Sequence, residues 1–327
     1  MQSIVHSYYH TLKTLKMSEY AYYRLSESND DNIVLFKEFK PLVDTFQKYS
    51  YISLPNLQYE KIKYEPLKDL PKDDKFMLVC ISGGKDSVAT AKYYIDNGYD
   101  VILYHMRGIN RAYFDEYGAV KEVADYLGCK CYIEQIALKG NHQYIEHPMK
   151  NILIANGAIQ YCLDRDLPVN IAFGNYSSSK LKDMEFDICA GDSRDMWDIY
   201  EKIIQNEIPD FRINTPLTDV SETYHILCQD MVLFSKCMSC ISPSRFRVHW
   251  KHRTEEKYGV KLMDNRCGCC WKCCMEYMVL ADAGTPHNLA YYNHCFDILK
   301  KTARKETGLK LSDSEVWNRY FWYFREP

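Results

Sequence analysis

The chain has 327 residues, a formal net charge of -3 and a pI near 6.4, which is room for one large α/β domain with extensions, or two modest domains, around a core that needs no disulfides. This charge excludes a strongly cationic nucleic-acid binder and leaves a local basic groove open. No apolar run reaches the roughly 20 residues that span a bilayer, and His6 and His10 interrupt the stretch where a secretion signal would need an apolar core, so a cytoplasmic chain without membrane contact is expected.

The first glycine is Gly83, and the residues before it are rich in Tyr, Lys, Leu and Glu. Ile4, Val5, Tyr8, Tyr9, Leu12 and Leu15 recur at helical spacing, as do Leu35, Phe36, Phe39, Leu42, Val43 and Phe46. Residues 1–70 therefore read as a helical amino-terminal extension, closed by a linker from Leu67 to Lys75. Phe76 to Ile81 is a short continuous apolar run, the pattern of a strand buried on both faces of a parallel sheet. Val88, Ala91 and Ile95 then mark a helix that stops at Gly98, and Val101 to Tyr104 supplies the next strand. The cycle repeats with a helix through Val120, Val123, Ala124 and Leu127, a strand from Cys131 to Ile136, a helix from Ile152 to Leu163 and a strand from Val169 to Phe173. This alternation predicts an α/β fold with a doubly wound parallel sheet over residues 76–220. Met196, Trp197, Tyr200, Ile203 and Ile204 form an amphipathic helix, Phe211 to Ile213 an edge strand, and Asp219 with Glu222 a capping box opening a helix through Ile226 and Leu227. Residues 221–327 read as a helical carboxy-terminal region, with helices at Met278 to Ala283 and Tyr291 to Lys301 and a tail from Trp317 to Phe324 whose aromatics pack back on the body.

Between the first strand and its helix lies Ser82-Gly83-Gly84-Lys85-Asp86-Ser87. Backbone N–H groups, two hydroxyls and a lysine at a helix amino terminus make an anion site, and the glycines let the backbone approach phosphate oxygens. The spacing differs from the Gly-x4-Gly-Lys-Ser/Thr loop of kinases and GTPases. The hexapeptide, in its strand-to-helix context, resembles that of the PP-loop ATP pyrophosphatases, a HUP-type fold, over roughly residues 76–283. That resemblance implies ATP cleavage between the α and β phosphates with Mg2+ present. It implies that Ser82, Gly83, Gly84, Lys85, Asp86 and Ser87 hold the pyrophosphate, with Lys85 and Asp86 taking part in catalysis. It places Tyr104, His105 and Met106 at the adenine pocket, where backbone groups do the reading, and Gly174 and Asn175 on a second nucleotide-binding loop. Asp183 reads either as a metal-facing acid or as a solvated loop carboxylate.

Of 14 cysteines, seven fall between Cys237 and Cys274. Cys267, Cys270 and Cys273 follow one another at two-residue gaps, and Cys237 and Cys240 form another such pair, which points to a metal. A structural zinc, an iron–sulfur centre and a persulfide-carrying thiol pair are the competing roles. Within the family the arrangement is most similar to the 7-cyano-7-deazaguanine synthases, which implies Cys240, Cys267, Cys270 and Cys273 as ligands of Zn2+. Two departures stand out: Asp192 to Asp195 only loosely matches the synthases' substrate-side loop, and Ile241 to Arg266 is an insertion carrying Arg245, Arg247, His249, Lys251, His252 and Arg253. The insertion reads either as a solvated loop or as a contact for substrate or nucleic acid. The resemblance implies an ATP-dependent ligase acting on a carboxylate or carbonyl of a purine-like base, with ammonia as nucleophile. Lys85, Cys269, Cys274 and the basic insertion support the alternative of tRNA-directed sulfur transfer or sulfonucleotide reduction, with a sulfur donor. A nucleotide-sensing module without catalysis is the third reading, and a homodimer is compatible with each.

Overall fold

The computed structural model describes residues 58–63, 75–107, 116–139, 149–175, 194–205, 208–209, 211–217, 220–242 and 244–321. The helical periodicities between Ile4 and Phe46, together with Asp183, Asp192, Asp219 and the tail from Trp322 to Phe324, lie outside the described residues. Two compact units divide the chain, the first within Met1–Ser82, Asp86–Ala112 and Leu127–Asp219, the second within Gly83–Lys85, Tyr113–Tyr126 and Val220–Pro327.

The first unit is built on a six-stranded sheet of β1 (Gln58–Lys63), β2 (Phe76–Cys80), β3 (Asp100–Arg107), β4 (Lys130–Lys139), β5 (Ile171–Ala172) and β6 (Ile213–Asn214), in the order β1-β4-β3-β2-β5-β6. Five strands are parallel, as the apolar runs predict, and β1 joins β4 antiparallel at the edge. This β1 corrects the helical reading of residues 1–70 at its end. Gln58-Tyr-Glu-Lys-Ile-Lys63 carries the charges that suit an edge strand, and that composition hides it from a search for apolar runs.

Every residue of β2 is buried, and its register with β3 runs from Phe76 opposite Asp100 to Cys80 opposite Tyr104. Counted from β2, the parallel strands run third, second, first, fourth, fifth, so the order reverses between β2 and β5. That is the ordering of a doubly wound sheet, and ligands bind at such a reversal, beyond the carboxyl ends of the strands. Helices α1 (Lys85–Asp96), α3 (Met149–Leu163) and α4 (Arg194–Ile204) accompany the sheet. On α3, Gly157 is required by packing: a Cβ there would stand 2.2 Å from the Tyr104 hydroxyl and 2.5 Å from Met106 Cε. Tyr104 and Tyr132 of the sheet cluster with Tyr161 of that helix, and Phe173, Trp197 and Phe211 fill the core toward β6.

The second unit is helical: α2 (Glu116–Leu127, up to Tyr126), α5 (Val220–Cys228), α6 (Met231–Lys236), α7 (Ser244–Tyr258), α8 (Trp271–Asp282), α9 (Leu289–Thr307) and α10 (Asp313–Phe321). Helix α9 buries Tyr291, Cys295, Leu299 and Ala303, one residue per turn, so a single stripe faces inward. Asn288 caps its start and Gly308, at φ 72°, ends it. The insertion of residues 241–266 is mostly the helix α7, where a loop was one of the two readings. No described helix is long and apolar enough to cross a membrane.

Candidate functional site

The segment leaving β2 starts where the strand order reverses and ends in the first turn of α1. Within the first unit, Ser82 and Ser87 face each other across this turn: Ser87 Oγ accepts from the Ser82 N–H at 3.2 Å and lies 3.2 Å from Ser82 Oγ. Two hydroxyls and the amino terminus of α1 thus gather in one turn, the chemistry that holds an anion. Gly174 follows β5 and touches the backbone of Asp86 and Ser87 so closely that a Cβ would stand 2.5 Å from Ser87 N and 2.6 Å from the Asp86 carbonyl carbon. Only glycine allows that approach. Beside it, Asn175 is buried and accepts a hydrogen bond from Trp197 Nε1 at 3.3 Å.

The expected adenine-side residues lie at the end of β3 with their side chains in the core. The Tyr104 hydroxyl donates to Glu134 at 2.7 Å, and Met106 packs beneath α3. His105 is 3% exposed, with Nδ1 2.9 Å from the Ile81 carbonyl oxygen, which ties β3 to the residue before the loop. These side chains hold the strand end in place within the core.

The second unit holds the middle of the loop. Gly83 has φ 76°, a conformation that favours glycine, and a Cβ there would meet Ala119 Cβ at 3.1 Å. Its carbonyl accepts from the Met238 N–H at 2.6 Å, and the Lys85 N–H donates to Ser239 Oγ at 3.4 Å. The Lys85 side chain is 9% exposed and its ammonium lies 5.4 Å from the centre of the Tyr224 ring. Met238, Ser239 and Tyr224 are neighbours of the loop that motif reading missed. The only hint was that Ser239 adjoins Cys240.

Cys240, Cys267, Cys270 and Cys273 come together with all four sulfurs within 4.8 Å of one another. Cys267 to Cys273 is 3.9 Å and Cys240 to Cys270 is 4.0 Å, against the ~3.8 Å expected between sulfurs held at about 2.3 Å around one tetrahedral ion. The donor set therefore fits a single metal ion. Gly268, at φ 73°, turns the chain between Cys267 and Cys270, and its carbonyl accepts from the Tyr291 hydroxyl at 2.7 Å. Cys270 is the residue that begins α8, and Cys273 lies in its first turn, where the helix dipole favours thiolates. Backbone N–H groups of Cys269 and Cys270 point at Cys267 Sγ from 3.4 and 3.3 Å, and the Ser242 hydroxyl from 3.0 Å. Hydrogen bonds from Cys240, Cys269, Cys270 and Cys273 hold the Cys267 thiol well below its ordinary range. Cys237 and Cys274 bond instead to the carbonyls of Leu233 and Gly268, and Cys269 is half-buried beside Cys267 without joining the four. Behind the knuckle, Arg266 and Glu276 form a buried ion pair, and Arg266 also donates to the Cys237 carbonyl.

No family model matches the chain. A stretch of 86 residues, 26% of the chain, is 36% identical to 7-cyano-7-deazaguanine synthase 2 of Sulfurisphaera tokodaii, and it spans 18% of that relative's length. Among solved structures, that of a predicted subunit of tRNA methyltransferase from Methanocaldococcus jannaschii is similar over 47% of this chain and 74% of its own, with 16% identity and a TM-score of 0.26.

Proposed function

We propose that this chain is a PP-loop ATP-utilising ligase that adenylates a carboxylate or carbonyl of a purine-like base, and that the four-cysteine knuckle holds zinc. The observation that carries the reading is the turn from Ser82 to Ser87 at the reversal of the parallel sheet, with Gly174 packed against its backbone. The similarity to 7-cyano-7-deazaguanine synthase 2 supports the choice of substrate class.

In this reaction a substrate carboxylate oxygen attacks the α phosphorus of ATP, the bond to the bridging oxygen of the β phosphate breaks, and pyrophosphate leaves onto the loop. Ammonia then adds to the acyl carbon and AMP departs, giving an amide. The amide oxygen attacks the α phosphorus of a second ATP with release of another pyrophosphate, and loss of AMP and two protons overall gives a nitrile. The chain's part is to bind and orient: the N–H groups at the start of α1 and the hydroxyls of Ser82 and Ser87 receive the leaving phosphates. Lys85 supplies a fixed positive charge, and Asp86 is the carboxylate adjoining it. Magnesium, when bound, offsets charge on the phosphates. Zinc suits the knuckle because a closed set of four thiolates around one ion is a structural site, whereas a cluster of several irons holds its thiolates farther apart.

The test supplies full-length protein with ATP, Mg2+, ammonium and 7-carboxy-7-deazaguanine, and follows AMP, pyrophosphate and the heterocycle by mass spectrometry. AMP with pyrophosphate and a nitrile or amide is expected, and Lys85→Ala lowers the rate about 10²-fold. ADP and phosphate as products, or no turnover of any carboxylated purine, would sink the reading. A thiolated product would move the chain to the sulfur-transfer alternative.

A further inference from the structure

A cavity of about 650 Å3 opens along α7, lined by Arg247, Lys251, His252, Lys261 and Arg266 with two acids, Glu255 and Asp264. Three of its five basic groups already have an acidic neighbour: Lys251 pairs with Asp264 at 2.9 Å, His252 stands 3.7 Å from Glu255, and Arg266 pairs with Glu276. Arg247 and Lys261 are left without an acidic partner among the described residues. Lys261 is exposed, so water solvates it. Arg247 is only 8% exposed, and its Nε and Nη2 are buried with no hydrogen-bond acceptor. A buried guanidinium without acceptors is costly, and proteins keep one where a ligand completes it.

We propose that this cavity is an anion site, separate from the Ser82–Ser87 loop, that takes a phosphate-bearing ligand with Arg247 as its principal contact. Arg247 and Lys261 give the cavity cations that suit the negative charge of a phosphate group. Arg247 offers neighbouring N–H groups in the planar fork that grips two oxygens of one phosphate. The volume exceeds that of a bare ion, and Val248 and Val260 in the wall leave apolar surface for an organic body. The same chemistry has two sources, a free nucleotide-sized phosphomonoester and the phosphodiester backbone of a nucleic acid. The proposal does not depend on the loop's reading.

The experiment measures thermal shift and calorimetric binding of inorganic phosphate, AMP and a short single-stranded RNA, on the full-length chain and on a Lys85→Ala background that weakens the loop's own anion binding. Binding that persists in Lys85→Ala and weakens about 10-fold or more in Arg247→Gln is expected. Lys261→Ala, on the surface and harmless to folding, is expected to weaken it less and in the same direction. AMP binding with little salt dependence assigns the site to a small phosphomonoester, and RNA binding with a steep salt slope assigns it to a nucleic-acid backbone. Absence of binding in the Lys85→Ala background, or affinities equal in Arg247→Gln, Lys261→Ala and the parent, overturns the proposal.

Discussion

At the scale of single residues, Gly174 offers a sharp test of the loop because it acts through empty space. Replacing it with alanine places a methyl group 2.5 Å from Ser87 N and 2.6 Å from the Asp86 carbonyl carbon, both backbone atoms that cannot rotate away. The turn must then shift, at a cost of about 1–3 kcal/mol in stability, and a displacement near 1 Å at a reacting centre lowers turnover about 10²-fold. Gly98→Ala is the control: unlike Gly174 this glycine has a positive φ, 76°, and a Cβ there meets nothing within 4 Å. Its expected effect is a loss of about 1–2 kcal/mol in stability with pyrophosphate release intact. Equal rates for Gly174→Ala and the parent would remove the loop from the reaction. Both glycines could be marked from sequence, since each follows an apolar strand or helix and local rules predict a turn. Ser239 could not, because its contact with the Lys85 N–H joins residues 154 apart in sequence and no local pattern encodes it.

At the scale of elements, the cysteine knuckle and the loop share a connector. Met238 and Ser239, immediately before the ligand candidate Cys240, bond to Gly83 and Lys85, so whatever orders Cys240 also orders the loop's partner strand of backbone. Metal removal by a chelator, or Cys240→Ser, is therefore expected to speed amide hydrogen exchange at Met238 and Lys85 and to weaken ATP binding. Unchanged protection at both amides after the metal is gone would separate the two sites. Affinity for the metal falls as pH drops, because the ligands must lose protons to bind. The helices of this region were unequally legible. Tyr291, Cys295, Leu299 and Ala303 advertise α9 through a regular stripe. In α7 the aromatic and aliphatic positions Phe246, Val248 and Trp250 alternate, and basic residues surround them, so no helical period marks the insertion. Phe246 and Trp250 stack at 5.5 Å on the folded helix, a contact visible only once the turn is built.

For the molecule as a whole, the parallel character of the sheet follows from continuous apolar runs, whereas the strand order and the charged edge strand β1 were not legible in the sequence. The same burial that makes those runs legible sets the response of stability to alkali. Burial pushes the Cys162 thiol up to about 12, and Cys80, Tyr132 and Tyr161 in the same core are also raised, each mainly by burial. In the unfolded chain these thiols ionise near 9 and these phenols near 10. Above pH 9 the unfolded state therefore releases protons that the folded state retains. The stabilisation from keeping Cys162 neutral is complete below pH 9 and is lost as pH rises toward 12. Stability should be level from pH 7 to about 8.5 and then fall, with Cys162 contributing up to about 1.4 kcal/mol per pH unit. Urea unfolding of the parent and of Cys162→Ala between pH 8 and 11 checks this, since the comparison cancels the titrating groups that do not feel Cys162, leaving Cys80 and Tyr161 as its coupled neighbours. The variant is less stable at pH 8 because a buried sulfur is gone, but its stability should decline less steeply, by about one proton's worth of slope. Parallel declines would show that Cys162 does not stay protonated in the folded core.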